Sequence, residues 1–252
     1  MYNIGIDSGS RTTKICIFDV ISKKILSLHI EKSLPNHEVQ IESLIDSVLI
    51  KNNIDKSLIS DIVLTGYGRK NYSAATKAIS EIICHAQGVY FLNPSIRTII
   101  DIGGQDSKVI KLSDKGKVLD FVMNDKCAAG TGLFLEKVSE YFGIKLEEMS
   151  RLSLQHSEDI EISSTCAVFA ESEIIGLVSS NVSIENILNA VNKSVVHRVI
   201  SMLGSVGIEY PIAFVGGVAR NSGVYKSLCD YLKFDVYVPE TPEYTGAIGA
   251  VM

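Results

Sequence analysis

Two short stretches hold residues whose types and spacing suit phosphate chemistry. Asp7-Ser-Gly9-Ser10-Arg11-Thr12-Thr13-Lys14 and Asp101-Ile-Gly103-Gly104-Gln105-Asp106-Ser-Lys108 carry Asp, Gly and Lys at matching places. Each begins where an apolar run ends in aspartate. Such a turn gathers backbone N–H groups with no large side chain in the way, and glycine lets an anion approach closely. The hydroxyls of Ser10, Thr12 and Thr13 add donors. Asp7 and Asp101 at the strand ends suit Mg²⁺ held through its waters, since that ion usually keeps several. One such turn alone reads as an ordinary hairpin. Two matched copies, with a further Gly-Gly in Val215-Gly216-Gly217-Val218-Ala219, read as a phosphate grip. The patterns G-x-x-x-x-G-K-[ST] and G-x-G-x-x-G are both absent.

Five cysteines form a second group. Cys16, Cys84 and Cys229 lie inside apolar patterns and read as buried thiols. Cys127, in Asn124-Asp-Lys-Cys-Ala-Ala-Gly130-Thr131-Gly132, and Cys166, in Ser163-Ser-Thr-Cys-Ala-Val-Phe-Ala-Glu171-Ser-Glu173, each stand where a helix is expected to begin. Ser163, Ser164 and Thr165 suit the N-cap. A helix N-terminus favours thiolate. Spacing alone favours two ordinary helix-start thiols. The other reading is half of a four-thiolate site, which a symmetric dimer would complete as a [4Fe–4S] ligand set. Glu171 and Glu173 read as complements to a helix dipole ahead of a general-base role, and the five histidines show no metal-ligand spacing. Arg69 and Lys70 read as loop charges or as a border of a nucleotide or partner.

The elements that must position these residues follow from periodicity. Strands are expected at Ile4 to Asp7, Lys14 to Phe18 and Lys24 to Glu31. A helix is expected through Ile41, Leu44, Ile45, Val48 and Leu49. Then come a strand at Ile62 to Leu64, a helix from about Ala78 to Leu92, and Pro94 as a stop. The pattern restarts with strands at Arg97 to Asp101, Ser107 to Leu112 and Lys117 to Val122. A long helix is expected from about Ser183 to Ser205, strands at Ile212 to Val215 and Phe234 to Val238, and a last small-residue helix at Thr245 to Val251.

Composition bounds the class. The 252 residues are 46% hydrophobic and 21% charged, which suits folded domains with proper cores. A net charge of −5 argues against a nucleic-acid partner. No apolar run spans a membrane, and the N-terminus lacks a basic n-region followed by an apolar h-region. A cytoplasmic protein is expected.

The paired Asp-x-Gly turns and the later Gly-Gly resemble the phosphate 1, phosphate 2 and adenosine motifs of the acetate kinase, sugar kinase, Hsp70 and actin superfamily. The resemblance implies an α/β actin-like ATPase with two domains of duplicated βββαβα plan and ATP in the cleft between them. The expected division is 1–95 plus about 242–252, against 96–241. By analogy Ser10, Arg11, Thr12, Thr13, Lys14, Gly103, Gly104, Gln105 and Asp106 face the phosphates. Gly216, Gly217 and Val218 face adenosine, and Gly130, Thr131 and Gly132 join the nucleotide contacts. Gln105 is the candidate for orienting the attacking water, with Asp7 and Asp101 beside it.

The stretches 101–108, 124–132 and 214–219, with Thr65-Gly66-Tyr67-Gly68-Arg69, are more specific. They resemble the activators of 2-hydroxyacyl-CoA dehydratases, in the BadF/BadG/BcrA/BcrD ATPase family that includes benzoyl-CoA reductase subunits. That resemblance reverses the order of the cysteine readings. It implies a homodimer with one [4Fe–4S] cluster on Cys127 and Cys166 of both chains. It also implies ATP/ADP with Mg²⁺, an iron–sulfur dehydratase or related acceptor, and ferredoxin or flavodoxin as donor. A reductase of another iron–sulfur acceptor, such as a double-cubane cluster protein, and a small-molecule kinase are the competing readings. An actin-like filament protein is a third.

Overall fold

The computed structural model describes all residues except 126–127 and 163–166. The chain divides into two compact units: Met1–Ile96, Leu112–Val118 and Glu243–Met252, and Arg97–Lys111 with Leu119–Pro242.

The first unit carries β1 (Tyr2–Ser8), β2 (Thr12–Asp19), β3 (Lys24–Lys32), α1 (His37–Lys51), β4 (Ile59–Thr65), β5 (Lys77–Ala78), α2 (Glu81–Leu92) and, from the chain's end, α8 (Thr245–Ala250). Its sheet runs β3-β2-β1-β4-β5, with β1 antiparallel to β2 and parallel to β4. Alternation sorts the side chains. Ile4, Ile6, Ile15 and Ile17 pack with Ile41, Leu44, Ile45, Val48 and Leu49 of α1. Cys16 and Phe18 pack with Ala247, Ile248 and Val251 at α8. Asp7 and Lys14 share the α8 face with Gly5, whose missing Cβ admits the Ala247 carbonyl; a Cβ there would stand 2.1 Å from that oxygen.

The second unit carries β6 (Thr98–Ile102), β7 (Ser107–Leu112), β8 (Val118–Asn124), α3 (Gly132–Phe142), α4 (Leu146–Ser153), α5 (Ala167–Ser179), α6 (Ile184–Val206), β9 (Ile212–Val215) and α7 (Ser222–Leu232). Its sheet order is β8-β7-β6-β9, again with an antiparallel first pair and a parallel crossover, β6 to β9. Ile100, Ile102, Val109 and Phe214 of the sheet pack against Phe134, Leu135, Val191, Val195 and Leu228 from α3, α6 and α7. Ser183 caps α6 by accepting from Asn186 N, and Asn221 caps α7 through Gly223 N and Val224 N.

Three expectations need correction. Phe234 to Val238 forms no strand. A single parallel bridge joins Tyr237 to Ala213, because the segment leaves α7 through Lys233 in a left-handed turn (φ 62°) and meets Pro239, which has no N–H to extend a ladder. The helix expected from Ala78 begins at Glu81, since Lys77 and Ala78 pair with Val63 and Leu64 instead. The helix after Cys127 begins only at Gly132. A short 3₁₀ turn, Ala128–Gly130, comes first, and extended Thr131 (φ −137°) holds the N-cap position. Cys127, Cys166 and the proposed caps Ser163, Ser164 and Thr165 lie outside the described residues. Among the described residues no helix is long and apolar enough to cross a membrane.

Candidate functional site

Both expected turns are present, built the same way on the two sheets. In the first unit Asp7 sits opposite Lys14 across β1 and β2, and Lys14 Nζ donates to Asp7 Oδ2 at 3.1 Å. In the second unit Asp101 sits opposite Lys108 across β6 and β7, and Lys108 Nζ donates to Asp101 Oδ2 at 3.1 Å. Each turn closes through its glycine: Gly9 N donates to Thr12 O at 3.1 Å, and Gly103 N to Asp106 O at 2.9 Å.

A second pair of glycines matches between the units. Gly66 follows β4, Gly216 follows β9, and their φ values are +82° and +85°. A Cβ on Gly66 would lie 2.5 Å from Asp7 Oδ1, and one on Gly216 would lie 2.5 Å from Asp101 Oδ1. Each parallel strand therefore ends in a left-handed glycine that leaves room for the carboxylate of its neighbour. The sequence singles out Thr65–Arg69 as a motif, but it is the structure that sets Gly66 against the Asp7 carboxylate. The local signal of Gly66 was present: a strand ending at Thr65 runs into Gly-x-Gly, as a strand ending at Val215 runs into Gly-Gly.

Other supports come from distant sequence. Ser33 Oγ donates to Gly9 O at 2.6 Å and pairs with Thr13 Oγ1 at 3.1 Å. The Thr13 hydroxyl is thus engaged inside the fold, while Ser10, Thr12 and Lys14 are half-buried and Arg11 is exposed. His37 Nδ1 meets Ser8 Oγ at 2.9 Å. Gly68 crosses the same serine, and its N–H donates to Ser8 O at 2.9 Å. The loop after Gly68 is tied to α1, where Glu42 accepts from Tyr72 and Glu38 accepts from Ser73 Oγ at 2.7 Å. The Tyr72 hydroxyl and the Lys56 ammonium hold the Glu42 carboxyl below its usual range.

In the second turn Gln105 is exposed at the tip, and Asp106 is buried, accepting from Lys108 Nζ at 2.7 Å. The start of α3 bonds directly to this turn. Gly132 N donates to Gly103 O at 2.9 Å and Leu133 N to Gly104 O at 2.8 Å. A Cβ on Gly132 would lie 3.1 Å from Gly103 O and 3.3 Å from a Val218 methyl. Gly103, Gly104, Gly132, Gly216 and Val218 are therefore brought together. Gly217 has open space on its Cβ side. The Thr131 hydroxyl turns back to donate to Ala128 O, and Gly130 packs against Arg198 of α6 instead.

The surroundings of Asp7 fit a hydrated cation. Thr65, its register partner on β4, is fully buried, and its Oγ1 has no oxygen or nitrogen partner; the weak sulfur acceptor of Cys84 is beside it. An orphaned hydroxyl next to a carboxylate suits an ordered water of an ion. Among the described residues no three His, Cys, Asp or Glu side chains converge on one metal position. Cys16, Cys84 and Cys229 are free and buried. Burial pushes the Cys16 thiol up to about 12 and the Cys84 thiol up to about 11, so both stay protonated near neutral pH.

The described residues that flank the two other cysteines are neighbours. Ala128–Gly130 lies beside α5, and Phe134, Val138 and Tyr141 of α3 line a small cavity with Ala167, Val168 and Ile174 of α5. On α5, Val168 and Phe169 are about two-thirds exposed, at 66% and 65%.

Comparisons with known proteins show the family and the fold. The chain is 44% identical to the activator of lactoyl-CoA dehydratase of Anaerotignum propionicum over 256 residues, covering 100% of this chain and 96% of that one. Its fold superimposes on the activator of the 2-hydroxyisocaproyl-CoA dehydratase from Clostridium difficile with bound ADPNP. There the TM-score is 0.93 at 41% identity, covering 100% and 93% of the two chains. It also superimposes on component A of the Acidaminococcus fermentans (R)-2-hydroxyglutaryl-CoA dehydratase, with TM-score 0.94, 37% identity and 100% and 96% coverage. The two mixed sheets with their matched Asp–Lys turns are the actin-like ATPase fold. With residues 4–252 matching its profile, the chain belongs to the BadF/BadG/BcrA/BcrD ATPase family.

Proposed function

We propose that this protein activates a 2-hydroxyacyl-CoA dehydratase by ATP-dependent transfer of single electrons. The observation that carries the reading is the bond from α3 to the second phosphate turn, Gly132 N to Gly103 O and Leu133 N to Gly104 O. It joins a nucleotide-gripping turn to the segment that carries Cys127. The names of the relatives, activators of lactoyl-CoA and 2-hydroxyisocaproyl-CoA dehydratases, support the same assignment.

The geometry supports the following residue roles. In this reading Lys14, half-buried and engaged by one carboxylate, offers its remaining N–H donors to phosphate oxygens. In the first unit Asp7, with Thr65 beside it, is the proposed holder of the waters of Mg²⁺, which would neutralise phosphate charge when bound, and Asp101 is the matching carboxylate of the second turn. Gln105, exposed at the turn, orients the attacking water, and Gly217 leaves space for the nucleoside. The two units serve as the two actin-like subdomains. Replacing Gln105 by Ala is expected to slow hydrolysis and spare nucleotide binding.

Two cysteine ligands per chain match half a [4Fe–4S] set, so two chains complete it. When bound, that cluster stores and passes one electron. The exposed Val168 and Phe169 on α5 support self-association next to it. A ferredoxin or flavodoxin is the proposed donor and an iron–sulfur dehydratase the acceptor. The chain's part is mechanical. A shift of Gly103 and Gly104 on nucleotide binding pulls the first turn of α3, and α3 shares its packing with α5. For this to work, ATP must bind two conformations with different affinity.

Iron and acid-labile sulfide measured after anaerobic purification test the proposal. About four irons per two chains are expected, lost in Cys127→Ala and in Cys166→Ala. An iron-free protein that phosphorylates a sugar would overturn it.

A further inference from the structure

Behind the first turn lies a buried histidine that the reading above does not use. His85 of α2 is 5% exposed, and its Nδ1 stands 2.9 Å from Thr245 Oγ1 at the start of α8. The next residue, Gly246, faces the Asp7 carboxylate. A Cβ there would stand 3.3 Å from Asp7 Oδ2 and 3.4 Å from His85 Cε1. Asp7 and His85 therefore converge on one point beside Gly246. The remaining borders of the carboxylate are also defined, with Gly66 against Oδ1 and Lys14 Nζ on Oδ2. Thr245 is fully buried, so its hydroxyl cannot turn to bulk water.

We infer that His85 is a positioning residue for Asp7, acting through Thr245 and Gly246 to set the carboxylate for a hydrated divalent cation. The His85–Thr245 hydrogen bond fixes where α8 begins, and that fixes how close the Gly246 backbone comes to Oδ2. A carboxylate that meets its ion through water depends on such outer partners for orientation. The second turn has a different solution: Asp101 is held by Lys108, itself locked by Asp106. Sequence reading gives His85 no role, because Thr245 lies far along the chain. The inference rests on the reading of Asp7 as the Mg²⁺-side carboxylate.

The test is calorimetric titration of ADP into the anaerobically purified full-length protein, with Mg²⁺ and with chelator. The readout is the factor by which Mg²⁺ strengthens ADP binding. His85→Ala and Thr245→Val are expected to cut that factor about tenfold while leaving the Mg²⁺-free affinity unchanged. His85→Asn, which keeps a polar atom near the Nδ1 position, and Thr245→Ser, which keeps the hydroxyl, are expected to restore it. A merely structural role would lower melting temperature without this split. If Asp7→Asn abolishes the Mg²⁺ factor and the His85 and Thr245 variants do not change it, the inference is overturned while the reading of Asp7 stands. If Asp7→Asn keeps the full factor, that reading fails and the inference falls with it. Should His85→Ala not fold, the Thr245→Val and Thr245→Ser pair decides, and equal factors in the two overturn it.

Discussion

The turn at Asp7 and the turn at Asp101 share strand register, closing hydrogen bond and left-handed glycine, yet they hold their lysines differently. Lys14 faces one carboxylate and its side chain is 15% exposed, whereas Lys108 lies between Asp101 and Asp106 and is 2% exposed. The first turn balances one positive against one negative side chain and is rich in hydroxyls. The second carries two carboxylates against one ammonium, all buried. Duplication thus kept the backbone and changed the charge. One lysine keeps N–H donors beyond its single carboxylate partner, while the other is held between two carboxylates inside the fold. The pattern teaches that a matching residue at a matching register need not do matching work.

The largest expected effect comes from removing the committed lysine. Lys108→Met leaves two buried carboxylates without a counter-charge and is expected to cost about 3–5 kcal/mol in denaturant unfolding. Lys14→Met should cost about 1 kcal/mol and chiefly weaken nucleotide binding. Equal stability losses would break the comparison. Next come the two glycines. Gly66→Ala and Gly216→Ala each force an L-residue into left-handed backbone at about 1–2 kcal/mol and press a methyl on an aspartate oxygen. Both should reduce ATP hydrolysis by about a hundredfold in steady-state assays, and one silent variant would show that the two turns are not equivalent.

A smaller effect distinguishes the turns by their bracing. Ser33→Ala removes the donor to Gly9 O and is expected to cost about 1 kcal/mol in thermal unfolding, with no counterpart in the second unit. The smallest effect is pH-dependent. Because the Tyr72 hydroxyl helps hold Glu42 below the usual carboxylate range, the pair stabilises the fold above the unfolded carboxylate pKa, near 4.3 by general values. That contribution is lost as pH falls through the lower folded value. The stability gap between the parent and Tyr72→Phe should therefore be present at neutral pH and close in acid. Melting curves between neutral and strongly acidic pH check the sign; a gap that widens in acid would refute it.

The paired turns are legible in the sequence alone. Asp, Gly and Lys at matched places in two copies are a local pattern, because a hairpin of fixed length puts Asp7 across from Lys14 and Asp101 across from Lys108 whatever the rest of the chain does. The strands and long helices were legible too, from apolar periods of two and about 3.6. Phe234 to Val238 misled because its residues suit a strand while its neighbours, Lys233 and Pro239, prevent one. Ser33, His37 and His85 have no signal in the sequence because each reaches its turn from another element, by a contact no local spacing records.

By itself the sequence determined the paired turns, the strands that carry them and the duplicated plan, all consequences of short-range sterics and of apolar periodicity. Only the tertiary structure decided which lysine is committed and which keeps donors to offer, and that the start of α3 bonds to Gly103 and Gly104. It alone placed Gly246 at the Asp7 carboxylate, with His85 also beside Gly246. Those outcomes depend on burial and on hydrogen bonds between residues far apart in the chain, and such partners become neighbours only when the sheets and helices pack.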